Sequence, residues 1–120
     1  MNQDDDGGEK SDINDYIMET GKSISSIKRR TKALIKDGWQ PIGGASTYLN
    51  GTMMIVFTQS LVKSSAIKSE PDYDLISARS PKSLADKVKS KFTDKWSPTG
   101  SGFVFRSETG DFIFCQTIIR

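Results

Sequence analysis

The sequence repeats itself. Pairing residue n with n+57 aligns residues 15–63 with 72–120 without a gap and gives 12 identities in 49 positions. Composition alone gives on the order of three. The identities include Asp15/Asp72, Tyr16/Tyr73, Ser23/Ser80, Trp39/Trp96, Pro41/Pro98, Gly43/Gly100, Phe57/Phe114 and Gln59/Gln116. The only two tryptophans fall at the same place. Whatever one copy folds into, the other is expected to fold into as well. The chain has 120 residues, enough for one compact domain and too few for two independent cores of ordinary size.

Each copy reads as strand, helix, strand, strand. The first strand begins at Tyr16 or Tyr73. Ser23 and the Ser80-Pro81 pair are helix starts, because serine caps free N–H groups and proline fits the first helical turn. Ile27, Thr31 and Ile35 match Leu84, Val88 and Phe92, spaced four apart along one helical face. Asp37-Gly38 ends the first helix; Lys95 stands in place of that glycine in copy two, a less favourable cap. A second strand starts near Trp39 and Trp96, where Pro41 and Pro98 point to a sheet edge or bulge. Asn50-Gly51 predicts a hairpin turn, and Glu108-Thr109-Gly110 the matching one. The third strands run over 52–61 and 111–119.

The expected fold class is α+β: two βαββ repeats forming a pseudo-two-fold, mainly antiparallel sheet of six strands with two helices packed on one face. Residues 1–14 form an acidic tail, 15–63 the first repeat, 64–71 a linker and 72–120 the second repeat, with 15–120 as one compact unit. The run 53–57, Met-Met-Ile-Val-Phe, is apolar on both faces of a strand. Such a strand is central, buried within the monomer, or covered by another subunit.

The segment Asp37-Gly38-Trp39-Gln40-Pro41-Ile42-Gly43-Gly44, followed by a hairpin and Phe57-Thr58-Gln59-Ser60-Leu61-Val62-Lys63, resembles a family of small prokaryotic and phage domains known as domain-of-unknown-function family 1737. Copy two keeps Trp96, Pro98, Gly100 and Gln116 and departs at Lys95, Ser97 and Ser101. The resemblance implies a bacterial or phage accessory protein. It implies no catalytic residue.

The chain has no histidine and one cysteine, Cys115. Without histidine it lacks the commonest general base and metal ligand. Neither a structural zinc site nor a disulfide can be assembled from these residues. Gly43-Gly44 lacks the lysine and hydroxyl of a phosphate loop. The expectation is a protein that is not an enzyme and takes no cofactor or metal. No apolar run reaches the ~18–20 residues of a membrane span, so a cytoplasmic protein with no membrane partner is expected.

Residues 1–14 carry a net charge of −4 within a chain of +2, leaving +6 on the rest. Lys28, Arg29, Lys32 and Lys36 lie along the first helix, and Lys87, Lys89 and Lys91 along the second. They are either solvated helix faces or contacts to an anionic or nucleic-acid partner. In the latter case Tyr48, Phe103 or Phe105 would stack on bases. Gln59 and Gln116 fall between apolar residues on their strands, which fits a structural hydrogen bond joining the copies. The other role open to them is lining a shared ligand groove, with Arg79, Lys82 and Arg106 as charge partners for a small nucleotide-like anion. Trp39, Pro41, Gly43, Trp96, Pro98 and Gly100 carry the repeat motif and read as structural. A binding module that holds or occludes a protein partner, or associates with itself, fits these features first. Nucleic-acid binding and sequestration of a small anion are the alternatives.

Overall fold

Serine caps and glycine breaks set most element boundaries. The computed structural model describes residues 12–65 and 70–120. Most of the expected acidic tail and residues 66–69 of the expected linker lie outside the described residues. The first unit comprises β1 (Ile13–Gly21), α1 (Ile24–Lys36), β2 (Trp39–Pro41), β3 (Ser46–Leu49) and β4 (Ile55–Ser64). The second comprises β5 (Tyr73–Ala78), α2 (Pro81–Ser90), a 3-10 turn (Phe92–Asp94), β6 (Ser97–Pro98), β7 (Phe103–Arg106) and β8 (Phe112–Ile119). Ser23 and Ser80 cap the helices, their hydroxyls accepting from Ser26 N and Ser83 N, each cap contributing about 1 kcal/mol. β1 starts at Ile13, two residues inside the segment read as tail. None of the described helices is long and apolar enough to cross a membrane.

The fold is α+β, with two helices and two antiparallel four-stranded sheets. This corrects the single six-stranded sheet expected above. Each expected second strand is split at its glycines: Gly43 and Gly100 have φ of +66° and +68°. Both halves of the broken strand pair with the long last strand, β4 or β8. Pro41 and Pro98 sit on the short edge strands β2 and β6, where a missing N–H costs no ladder bond.

The two units match in detail under the 57-residue shift. Tyr16 pairs with Val62 and Tyr73 with Ile119. Arg30 donates to Thr20 O, and Lys87 to Ser77 O. Lys63 lies over the Trp39 ring and Arg120 over that of Trp96.

Residues paired across an antiparallel ladder share a face. Phe57, Gln59 and Leu61 thus share the front of the first sheet with Gly21, Glu19 and Ile17. Tyr16 and Met18, paired with Val62 and Ser60, lie on its back. In the second sheet Phe114, Gln116 and Ile118 form the front, and Tyr73, Leu75, Cys115 and Thr117 the back. α1 buries Ile27, Thr31 and Ile35, and Ile27 and Ile35 join Trp39, Ala45, Phe57, Leu61, Tyr73 and Leu75 in one apolar cluster. The front of the first sheet therefore packs on the back of the second. Stacking covers one face of each sheet with the other, which a single edge-joined sheet does not do.

The contacts between units are not reciprocal, contrary to the expected two-fold relation. Tyr73 is 2% exposed and Tyr16 53%. Tyr73 Oη donates to Gln59 Oε1 at 2.7 Å, while Tyr16 Oη lies 2.9 Å from Ser60 Oγ in its own sheet. α1 packs against strands of both sheets, and α2 against β5 and β8 of its own. The helices therefore do not share one face of one sheet.

Candidate functional site

Asn50 shapes an open apolar groove. Its Oδ1 accepts from Thr52 N, Thr52 Oγ1 and Met54 N, each at 2.9 Å. Its backbone exchanges further bonds with Met53 and Met54. This side-chain-organised turn is longer than the two-residue hairpin expected from Asn50-Gly51. It delays the start of β4 to Ile55 and lifts Met53 and Met54 out of the strand. The reading of residues 53–57 as one doubly apolar strand is corrected accordingly: Met53 is 73% exposed and Met54 52%. β4 itself is central, flanked by β1 on one side and by β2 and β3 on the other.

The lifted methionines wall a groove of about 600 Å³. Leu49, Ile55 and Phe57 line it from the first sheet, Ile24 from the start of α1, and Phe105 from β7. Lys22, Arg106 and Glu108 stand on its rim. The Arg106 guanidinium is held by Gly110 O and lies 5.2 Å from the Phe112 ring centre.

Met53 has φ +62°, a left-handed conformation that costs an L side chain roughly 1–2 kcal/mol. Its counterpart in the second unit is Gly110, with φ +89°. The first unit thus holds a flexible, polarizable side chain where the second holds the residue that the backbone prefers. Its signal in the sequence is a methionine opposite a glycine in the internal alignment, masked by the strand-like run around it.

The residues singled out from the sequence are scattered over several places. Lys28 is taken up by Asp74 at 2.9 Å. Lys32 and Lys36 border a second cavity of about 310 Å³ together with Glu70, Asp72 and Asp74. Asp72 is itself paired with Arg120 at 2.7 Å. Acids interleaved with lysines in this way leave little net field for a phosphate chain. Arg29 and Lys89 are exposed, and Lys91 is half-buried. Lys82 pairs with Asp86 within α2. Phe103 and Phe105 pack edge-on against Phe57, with ring centres 6.5 and 5.0 Å away, so they are not free to stack on bases. Tyr48 is exposed.

Gln59 and Gln116 do not share a groove. Each Nε2 is held within its own unit, by Ile42 O, Gly43 O and Ser60 O or by Thr99 O, Gly100 O and Thr117 O. Gln59, 1% exposed, also receives Tyr73 and joins the units. Arg79 lies near Asp111, and Arg106 is on the methionine groove. Gln59, Gln116, Arg79, Lys82 and Arg106 are therefore not gathered into one anion groove.

Burial pushes the Tyr73 phenol well above its ordinary range, and the Asp74 charge adds to the shift. Burial likewise pushes the Cys115 thiol up to about 11. Both groups are neutral at physiological pH, and a thiol kept protonated is a poor nucleophile. Comparison of the chain with family models, curated proteins and solved structures found no match.

Proposed function

We propose that the protein is a small non-enzymatic binding module that takes an apolar segment of a protein partner into the groove walled by Met53 and Met54. One observation carries this reading: two long thioether side chains stand exposed over an open groove of about 600 Å³, one of them on a strained backbone. Methionine adapts its shape to apolar partners at low cost. An apolar floor with charges restricted to the rim is the usual composition of a recognition site. Lys22 and Arg106 outnumber Glu108 on that rim, so an anchor flanked by acidic residues is the favoured ligand. The resemblance carried by residues 37–44 adds the expectation of an accessory role in a bacterial or phage-infected cytoplasm.

Selection from a displayed library of random peptides tests the proposal. Enriched peptides are expected to combine a bulky apolar anchor with a neighbouring Asp or Glu. Their affinity for Met54→Asp is expected to fall at least tenfold. Failure to enrich any peptide, or equal binding to Met54→Asp, would refute the groove as the site.

A further inference from the structure

The packing of one unit on the other runs in a single direction, and each partner surface has an unused duplicate. Within the chain, the front of the first sheet receives the back of the second. Tyr73 donates to Gln59, and Phe105 packs edge-on against Phe57. Shifting these residues by 57 positions gives the surfaces left over. On the back of the first sheet, Tyr16 replaces Tyr73, Met18 replaces Leu75 and Tyr48 replaces Phe105. All three are more than half exposed. On the front of the second sheet, Gln116 replaces Gln59 and Phe114 replaces Phe57, beside an exposed Phe92 in place of the buried Ile35.

The acceptor is preformed. Gln116 Nε2 is pinned by three backbone carbonyls as Gln59 is, so its Oε1 is oriented in the same way. Gln59 Oε1 takes the Tyr73 hydroxyl; Gln116 Oε1 accepts no hydrogen bond among the described residues. The backbone also leaves room on the donor side. A Cβ on Gly100 would meet Gly44 N at 2.3 Å across the internal interface, while one on its counterpart Gly43 would meet nothing within 4 Å.

We infer that these two leftover surfaces bind each other between molecules. The back of the first sheet of one chain docks on the front of the second sheet of another copy of this chain, through Tyr16 to Gln116 and Tyr48 to Phe114. The internal interface is the template that identifies the occupant. Such a contact is heterologous, so it builds head-to-tail series or closes into a ring. It is looser than its template at two places. Ser101 stands where Gly44 lets backbones meet, and Ala85 and Ile17 stand where Lys28 and Asp74 pair. The association is therefore of the weak class, growing over roughly 10 μM to 1 mM.

Sedimentation velocity on the full chain, with two variants, tests this. Tyr16→Lys with Met18→Lys spoils the donor face; Phe92→Lys spoils the acceptor face. All three side chains are exposed, and circular dichroism checks that the fold is retained. Wild type is expected to sediment faster as concentration rises. Each variant alone is expected to lose that rise, its association weakened at least tenfold. An equimolar mixture of the two is expected to form a 1:1 dimer and stop there, because one donor face and one acceptor face survive. A wild-type monomer throughout the range would overturn the inference. So would variants that associate like wild type, or folded variants that fail to pair when mixed.

Discussion

Gly43 and Gly100 share a left-handed backbone and differ in their surroundings. Gly100 presses on the Gly43-Gly44 backbone; Gly43 faces open space. Gly43→Ala is therefore expected to cost about 1 kcal/mol, the strain of a Cβ at positive φ. Gly100→Ala adds a clash between backbones and is expected to cost roughly 3 kcal/mol or more. Urea unfolding of both variants measures the difference, and equal costs would show that the units do not meet there. Thr117 is a second residue whose role lies across the interface. It is fully buried, and its Oγ1 accepts from Ala45 N at 2.9 Å. Thr117→Val keeps the shape and leaves that N–H unpaired, so a loss of about 1–3 kcal/mol is expected in the same assay. Neither residue was legible as an interface position. The sequence shows that Gly43 matches Gly100, but the copy that is crowded is decided by packing between units.

At the level of elements, the duplication has traded glycines in opposite directions. Gly38 ends α1 at φ +97°, and its counterpart Lys95 takes φ +70° after the 3-10 turn. Gly110 occupies the second hairpin at φ +89°, and its counterpart Met53 takes φ +62°. Lys95→Gly is expected to stabilise the fold by about 1 kcal/mol, since it relieves left-handed strain at an exposed position. Met53→Gly is expected to stabilise by a similar amount and to weaken peptide capture by the groove. Thermal unfolding together with the peptide-binding assay separates the two effects. If both changes only stabilise, the strain at Met53 serves no binding role. The cap at Lys95 and the serine starts were legible because capping chemistry is local. The start of β4 was not, because the Asn50 side chain captures three donors and a residue-type pattern cannot show that competition with the strand.

For the whole molecule, the repeat made the contents of each unit legible and left their relation open. Tyr16 and Tyr73 are the same residue in the same register, yet one is exposed and the other buried. Identical sequence cannot say which copy of a surface is used when two copies exist and one internal contact is made. The buried copy carries a measurable consequence, because Tyr73 and Cys115 both lie on the back of the second sheet, where the units meet. Both hold their proton more tightly in the fold than in the unfolded chain: Cys115 rises from 9.0 to about 11, and Tyr73 rises further above its ordinary 10.0. Their contribution is therefore fully present at pH values well below 9.0, where the unfolded thiol is still protonated. It is lost as pH climbs, first through ionisation of the unfolded thiol and then of the unfolded phenol. The melting temperature is expected to hold near neutral pH and to fall by roughly 5 °C or more between pH 9 and pH 11. Tyr73→Phe is expected to melt lower at neutral pH, because Gln59 Oε1 loses its donor, and to fall less steeply above pH 10. A variant as steep as wild type there would place the alkaline sensitivity elsewhere, since the phenol is the group whose ionisation the stacked sheets oppose most strongly.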